Sequence, residues 1–432
     1  MDIYIVRPRD DINSIANRYG VSVSTLIQEN GLENPDSLVP GQALVITYPS
    51  QTHIVEEGDT LSGIASKYNV TVMQLLRNNS FLSDREHIFP GERLVVSYDT
   101  TKKIAIAGYA YPFIDMKTRE KTLPYLTYLN IINYQIVDEG EIVTFYDTSE
   151  MINLSISYAT IPLMGISALS QRGELDIEVI FNHLINEDYQ AVFIDNLLNI
   201  LQASGYHGVN FFVSALSENN QKLYFGLLEK LSGSLRAEGY LVFVTVDPDL
   251  KFIDGNTSFQ NINYSIARNL VDGVTFIRKL WASYKGPPIP IISISMIKDF
   301  LNFVLPMVAP ESIYTDIPLL AYDWELPYRE TNMPAKCMSL DSAISLASDV
   351  GAVIQFDEAS QTPFFQYEDG YSLHIVDHIV WFVDARTFNA MSQLVVDTDI
   401  AGVGIWNIMI FHQSLWSVLI LQFDVTKVLT EL

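Results

Sequence analysis

Cysteine and basic side chains are both scarce in this chain of 432 residues. Its one cysteine, Cys337, cannot form an intramolecular disulfide, which is typical of a protein made in a reducing compartment. The 26 Lys and Arg residues face 51 Asp and Glu residues, giving a formal net charge of −25. The few basic pairs, such as Lys102-Lys103, are isolated from one another, so we expect no nucleic-acid partner.

Long apolar runs are also missing. Stretches such as residues 414–421 fall far short of the roughly 20 residues that a membrane helix needs, so we expect no membrane span. Residues 1–8 lack a basic segment followed by an apolar one, and we expect synthesis without a signal peptide. With 48% hydrophobic residues, the chain can still build a well-packed core.

An internal repeat is the strongest positive signal. Residues 2–48 recur at 52–98 with an offset of 49, which becomes 50 after one inserted residue. The matches include Asp10 with Asp59, Ile15-Ala16 with Ile64-Ala65, Tyr19 with Tyr68, Asn30 with Asn79, and Pro40-Gly41 with Pro90-Gly91. The apolar spacing predicts a βααβ unit for each copy.

Two local predictions follow from the repeat. In the second copy, Asp59 or Thr60 is expected to cap the first helix, since either side chain can accept from the free amides of a first turn. Asn30 and Asn79 are expected to end the second helices, a position that tolerates left-handed backbone geometry.

Both copies resemble lysin motif (LysM) domains. The resemblance is carried by Val55-Glu-Glu-Gly-Asp-Thr-Leu61 and Pro90-Gly-Glu-Arg-Leu94, and the first copy has Arg9-Asp-Asp-Ile12 in place of Gly-Asp-Thr-Leu. In that family, the loops after the first strand and before the second strand form a groove for N-acetylglucosamine-containing glycans such as peptidoglycan or chitin. The resemblance implies groove residues Arg9, Asp10, Asp11, Ile12, Leu38, Val39 and Pro40 in the first copy, and Gly58, Asp59, Thr60, Leu61, Ile88, Phe89 and Pro90 in the second. Helix capping and core packing are the alternative roles of these residues.

From Lys102 onward, short apolar runs alternate with helical stretches such as residues 191–203 and 220–238. The candidate strands are Ile104–Ala107, Leu126–Ile132, Ile161–Ile166, Gly208–Val213, Leu241–Val246, Gly273–Ile277, Ile313–Leu319 and Gly402–Trp406. Eight such strands favour a (β/α)₈ TIM barrel with a small insertion after strand 7, and no Gly-rich phosphate fingerprint supports an open doubly wound sheet. We therefore predict an α/β protein with βααβ domains at 1–49 and 50–101 and a barrel at 102–432.

The fourth candidate strand resembles that of glycoside hydrolase family 18. Gly205-Tyr-His-Gly-Val-Asn210-Phe-Phe-Val-Ser214 carries the resemblance, and Tyr322-Asp-Trp324 and Gly404-Ile-Trp406 agree with it. It is closest to the LysM-bearing N-acetylglucosaminidases that degrade spore cortex peptidoglycan in sporulating Firmicutes. Members carry Asp-x-Asp-x-Glu at the end of this strand, where Glu protonates the glycosidic oxygen and Asp orients the substrate's 2-acetamido group.

The catalytic motif is degenerate in this chain. Its three positions hold Asn210, Phe212 and Ser214, and the family's Met-x-Tyr-Asp on the sixth strand is Ile277-Arg-Lys279-Leu280. A serine hydroxyl is far too weak an acid to replace a tuned carboxyl, and a phenyl ring offers no acceptor to a charged intermediate. We therefore expect no hydrolysis.

The resemblance still implies that the barrel binds a sugar. The residues expected to bind a glycan there are Trp281, Tyr322, Asp323, Trp324 and Trp406, with ordinary barrel packing as the alternative for the aromatic rings. Glu218 is interpreted as helix N-terminal charge compensation. His374 and His378 lie in a segment that reads as strands around a turn, so we expect no metal and no cofactor.

The sequence thus predicts a spore-surface, cortex or cell-wall protein, made in the mother cell, that binds peptidoglycan or a related glycan through tandem LysM domains. Its family 18 barrel is predicted to be inactive. Two alternatives stay open. One is an active N-acetylglucosaminidase with relocated catalytic groups, and the other is a structural coat protein whose LysM domains bind spore-coat proteins.

Overall fold

The computed structural model describes residues 1–84, 87–100, 102–167, 177–213, 216–248, 251–253, 256–277, 285–329, 331, 333–370 and 375–429. Two small βααβ units are followed by a closed parallel barrel with helices around it. The predicted fold class is confirmed. Among the described residues, no helix has the length and apolar character to cross a membrane.

Each βααβ unit pairs its two strands antiparallel and packs two helices on them. The first unit consists of strands Asp2–Ile5 and Ala43–Ile46 and helices Ile12–Tyr19 and Val23–Asn30. The second consists of strands Gln51–Ile54 and Arg93–Ser97 and helices Leu61–Tyr68 and Val72–Asn78, with a 3₁₀ turn at Ser80–Asp84. Each unit has its own small core, built on Ile15 and Leu26 in the first and on Ile64 and Leu75 in the second.

The helix ends differ in part from expectation. Thr60, not Asp59, caps the second unit's first helix by accepting from the Gly63 amide. Asn79 is the C-cap of the helix Val72–Asn78, as predicted, but its φ of −137° is not left-handed. Its side chain instead donates to the Val95 carbonyl at 2.7 Å and accepts from the Val95 amide at 2.8 Å, which satisfies a strand backbone that would otherwise lack a partner.

Asn30 does the same in the first unit. Its amide donates to the Val45 carbonyl at 2.9 Å and its carbonyl accepts from the Val45 amide, while Gly31 takes the left-handed C-cap position. The repeated Asn therefore ties the second helix to the second strand in both copies.

The eight predicted barrel strands are all present. They are, from first to eighth, Lys102–Ala110, Tyr128–Ile136, Ile161–Ser167, Gly208–Val213, Leu241–Val246, Gly273–Phe276, Ile313–Pro318 and Gly402–Trp406. Neighbouring strands pair in parallel, and the eighth pairs with the first, which closes the barrel. Their inward side chains fill the interior, as in other barrels of this size.

Helices cover the outside of the barrel. They are Met116–Thr122, Ser149–Ser157, Ile177–Ile185, Glu187–Ser204, Gln221–Ala237, Ile294–Val304, Ala385–Thr398 and Gln413–Gln422. Short strands at Ile142–Thr144, Lys251–Ile253, Asn256–Ser258 and Phe423–Val425 complete this part of the chain.

The predicted insertion lies between the seventh and eighth barrel strands. It is a five-stranded antiparallel sheet with one helix, Leu340–Asp349. Its strands are Ala321–Leu326, Lys336–Met338, Gln355–Asp357, Thr362–Asp369 and Val376–Trp381. Cys337 lies on this sheet as a free, exposed thiol.

The βααβ units are packed directly against the barrel. Val39 and Val45 of the first unit and Tyr98 after the second belong to the same buried hydrophobic cluster as the barrel side chains. Polar contacts add to this, since Ser80 donates to the Gln413 side chain at 2.6 Å and Tyr125 donates to the Arg77 carbonyl at 2.7 Å.

Candidate functional site

Asn210 lies inside the barrel on the fourth strand, where it is fully buried. Its amide donates to the Asn130 side-chain oxygen at 2.7 Å, and its own oxygen accepts from the Thr245 hydroxyl at 3.0 Å. The Tyr109 hydroxyl is 3.0 Å from the Thr245 hydroxyl and extends this network. An amide held in a neutral hydrogen-bonded network offers no charge to a reacting sugar.

Phe212, two residues further along the strand, packs into an aromatic cluster with Tyr109 and Trp406. Its ring centroid is 6.0 Å from that of Trp406 and 5.9 Å from that of Tyr109, both in edge-to-face geometry. Trp406 and Tyr109 are themselves 5.4 Å apart. The cluster of these three rings, here called the mouth cluster, fills space beside Trp406 with apolar atoms and supplies no acceptor for a developing positive charge.

Asp316 is a carboxyl group in the barrel that the sequence analysis missed. It lies on the seventh strand, in register with Gly404, and is 1% exposed. Burial raises the pKa of the Tyr109 phenol to about 12, and the nearby Asp316 charge adds to that rise. A charged residue inside the apolar run Ile313–Leu319 was the available signal, since such residues are rarely buried without a partner or a function.

Several predicted positions lie outside the described residues. They are Ser214 of the degenerate motif, Lys279 and Leu280 of the sixth-strand motif, Trp281 and His374. The predicted barrel-site residues that the structure describes are therefore Asn210, Phe212, Trp406 and those of the insertion.

Tyr322, Asp323 and Trp324 lie on the first strand of the insertion. Trp324 is 2% exposed and its indole donates to the Gly286 carbonyl at 2.9 Å, so its ring faces are packed and cannot stack on a sugar. Tyr322 is half-buried, with its ring 5.4 Å from that of Trp324.

Asp323 is engaged inside the insertion sheet. One carboxylate oxygen lies 2.8 Å from Nδ1 of His378, and the other accepts from the Tyr367 hydroxyl at 2.9 Å. His378 therefore has a buried acidic partner in the sheet. The described part of the chain contains no group of three or more His, Cys, Asp or Glu side chains that could hold a metal ion.

The first groove loops of the two LysM-like units have the same shape. Arg9 adopts φ +75° where the second copy has Gly58 at φ +88°. Asp10 accepts from the Arg7 amide at 2.8 Å and Asp59 from the Glu56 amide at 2.8 Å, so each carboxylate closes the turn. A hydrogen bond from the Tyr4 hydroxyl, supported by the Arg7 amide, holds the pKa of Asp10 below the usual value, and the Glu56 amide together with His53 does the same for the pKa of Asp59.

The start of the first helix completes this loop in each copy. Asp11 accepts from the amides of Asn13 and Ser14, while Thr60 plays the equivalent part in the second copy. Ile12 is buried and Leu61 half-buried, each packed in its unit's core. The polar residues of the first loops thus have capping and turn-closing roles whether or not a glycan binds.

The second groove loops have different surroundings in the two copies. Val39 packs in the hydrophobic cluster of the barrel and the Pro40 carbonyl accepts from the Ile354 amide at 2.9 Å, whereas Leu38 packs on the core of its own unit. In the second copy, Ile88 packs on its own unit, whereas Phe89 is 55% exposed and Pro90 is also exposed.

Comparison with known proteins gives matches for each part of this architecture. The LysM domain family matches residues 4–47 and 53–97. The chain is 28% identical over 434 residues to the cortical fragment-lytic enzyme of Bacillus anthracis, covering 99% of each protein. It is also similar to the crystal structure of the Bacillus cereus spore cortex-lytic enzyme SleL, with a TM-score of 0.80, 27% identity and coverage of 99% of both chains.

A more distant structure shares the barrel fold. The chitinase of Chromobacterium violaceum has a TM-score of 0.64 at 15% identity and covers 73% of this chain and 97% of its own. The resemblance to LysM domains followed by a barrel of the cortex-lytic and chitinase type is therefore confirmed.

Proposed function

We propose that this chain, which has tandem LysM domains and a SleL-like TIM barrel, binds N-acetylglucosamine-containing glycan in the spore or cell wall and does not hydrolyse it. In this proposal, residues 1–49 and 50–101 are the LysM domains and 102–432 the barrel. The observation that carries the loss of hydrolysis is the packing of Phe212 against Trp406, where the family resemblance expects a carboxylate.

Binding is supported by the first 100 residues and by the relatives. LysM domains take peptidoglycan or chitin in the groove between their two loops, and the named relatives act on cortical fragments or spore cortex. Linking two weak sites on one chain would raise the effective glycan concentration for the second. Peptidoglycan is therefore the first ligand to test, with chitin oligosaccharides as soluble probes.

The absence of hydrolysis follows from what the reaction needs. Substrate-assisted cleavage requires a carboxylic acid to protonate the leaving oxygen and a carboxylate to position the acetamido group and stabilise the intermediate. The proton-donor position holds Ser214, whose hydroxyl is far too weak an acid to protonate a glycosidic oxygen, and the acetamido-orienting position holds the apolar Phe212. Neither role is available from these two positions.

A second candidate function, an active glycosidase with relocated groups, rests on Asp316. It is a carboxyl group in the interior of the same barrel, and it influences the ionisation of Tyr109 in the mouth cluster. In this candidate, Asp316 would take over part of the work of the missing carboxyl groups.

A hydrolysis assay separates the two functions. The full chain and Asp316→Asn are incubated with cortex muropeptides and with chitohexaose, and new reducing ends are counted. We expect none above a protein-free blank for either protein. Reducing ends released by the full chain and lost in Asp316→Asn would establish the glycosidase.

A pull-down on the same preparation tests binding. The full chain is expected to sediment with purified peptidoglycan and to be competed off by chitohexaose. If it stays in the supernatant while binding isolated coat proteins, the third candidate, a structural coat protein, would replace this proposal. A fluorescent fusion is expected on the developing spore, and localisation to vegetative septa would contradict the spore assignment.

A further inference from the structure

The loop that precedes the second strand of the first LysM domain is hydrogen-bonded through its main chain to the insertion and to the barrel helix Ala385–Thr398. Besides the Pro40 carbonyl, which accepts from the Ile354 amide at 2.9 Å, the Gly41 carbonyl accepts from Nη2 of Arg386 at 3.2 Å. Val39, beside them, is 2% exposed and packs in the barrel's hydrophobic cluster. Three consecutive residues of one groove loop are thus engaged by the barrel.

The barrel side of this contact is itself fixed. Arg386 is held by Asp384, whose carboxylate lies 2.6 Å from Nη2 and 3.0 Å from Nε, and the guanidinium lies 4.3 Å from the centre of the Phe356 ring. Ile354 is buried and directly precedes the insertion strand Gln355–Asp357. The loop therefore meets a surface whose side chains are already positioned, which makes the contact specific.

The surroundings of Gly41 and Gly91 show most directly that the second groove loop contacts the barrel in the first copy and not in the second. The two glycines occupy equivalent positions with nearly equal backbone conformations, φ +88° and +92°. A Cβ added at Gly41 would lie 1.9 Å from the Ile354 carbonyl oxygen, whereas a Cβ added at Gly91 meets nothing within 4 Å. The same turn is therefore pressed against the barrel in one copy and open to solvent in the other.

We infer that the second groove loop of the first LysM domain docks on Ile354 and Arg386 of the barrel, so that only one of the two LysM grooves, that of the second domain, is open to glycan. This inference rests on the proposed glycan binding. A glycan entering the first groove would have to displace the main-chain contacts to Ile354 and Arg386. In the second copy, the equivalent Phe89, Pro90 and Gly91 are exposed.

Calorimetric titration of the full chain with chitohexaose tests the number of grooves. We expect one site per chain. Phe89→Ala removes an exposed side chain from the second groove and is expected to weaken binding at least tenfold. Arg9→Ala removes an exposed side chain from the first groove without changing the backbone strain, and it is expected to leave the affinity unchanged within twofold. Two sites per chain, or a larger effect of Arg9→Ala than of Phe89→Ala, would overturn the inference.

Hydrogen exchange tests the docking contact without any ligand. The Ile354 amide is expected to be protected in the full chain and to exchange at least tenfold faster in Gly41→Ala, with no change in Gly91→Ala, which carries the same left-handed strain. An Ile354 amide that exchanges freely in the unaltered chain would refute the docking. Protection of Ile354 together with no chitohexaose binding at all would leave the docking intact and refute the glycan proposal instead.

Discussion

Glu29 couples the stability of this chain to pH. It lies on the second helix of the first LysM domain and faces the last barrel helix. Its carboxylate oxygens lie 3.3 Å from the Tyr98 hydroxyl and 3.2 Å from the Ser417 hydroxyl. Burial raises the pKa of Glu29 from 4.5 to about 7, and these two hydroxyls only partly offset the loss of water.

The expected magnitude follows from that shift. A rise from 4.5 to about 7 is 7 − 4.5 ≈ 2.5 pKa units. At about 1.4 kcal/mol per unit, this corresponds to roughly 3 kcal/mol of differential stability. Because the folded state holds the proton more tightly, unfolding releases it, and the free energy of unfolding falls as pH rises. The contribution is complete below about pH 4.5 and lost above about pH 7.

Glu29→Gln removes the titrating group and keeps both a hydrogen-bond acceptor and a donor at the site. We expect the free energy of unfolding of Glu29→Gln minus that of the unaltered chain to increase by about 3 kcal/mol between pH 4.5 and 7.5. Guanidinium unfolding at a series of pH values measures this difference. Glu33→Gln, which alters an exposed carboxylate of the same domain, is the control and should give a flat difference. A flat difference for Glu29→Gln as well would refute the reasoning.

Three further changes have defined outcomes in unfolding experiments. Arg9→Gly relieves a left-handed backbone and is expected to raise the free energy of unfolding by about 1 kcal/mol, and a loss would show that its side chain matters more. Asn79→Ala leaves strand backbone groups without partners and should cost about 3 kcal/mol, against less than about 0.5 kcal/mol for the exposed Asn17→Ala. Asn210→Leu breaks the buried network to Thr245 and should cost about 2 kcal/mol, whereas a neutral result would mean that the network adds nothing to stability.

The barrel could be predicted from sequence because its strands are buried on both faces. Such strands read as continuous apolar runs between turns, and Gly208–Val213, Leu241–Val246 and Gly402–Trp406 agree with the predicted ranges residue for residue. The βααβ fold of the LysM-like units could be predicted for another reason, since a repeat displays the same pattern twice. The assignment of Asn210 and Phe212 to the motif positions stays a prediction, made from the fixed spacing of the family motif on one strand.

The contacts between distant elements could not be predicted in the same way. Ser417 donates to the Glu29 carbonyl across 388 residues of chain, and no periodicity within either helix indicates such a partner. Asn79 was placed at the helix end because Asn tolerates left-handed geometry, but the sequence did not indicate that its side chain donates to the Val95 carbonyl on the second strand. Asp316 was overlooked because it lies within an apolar strand and belongs to no family motif that the sequence presented.

The shared hydrophobic core of the LysM domains and the barrel has a consequence for how this chain responds to proteolysis. Val39, Val45 and Tyr98 are packed in the same cluster as the barrel side chains. A cut between the second LysM domain and the first barrel strand would therefore break the chain but leave this hydrophobic interface buried. The nicked fragments should stay together until denatured. A barrel produced alone would present an apolar patch to solvent, and removing either LysM domain in evolution would require compensating polar substitutions on the barrel.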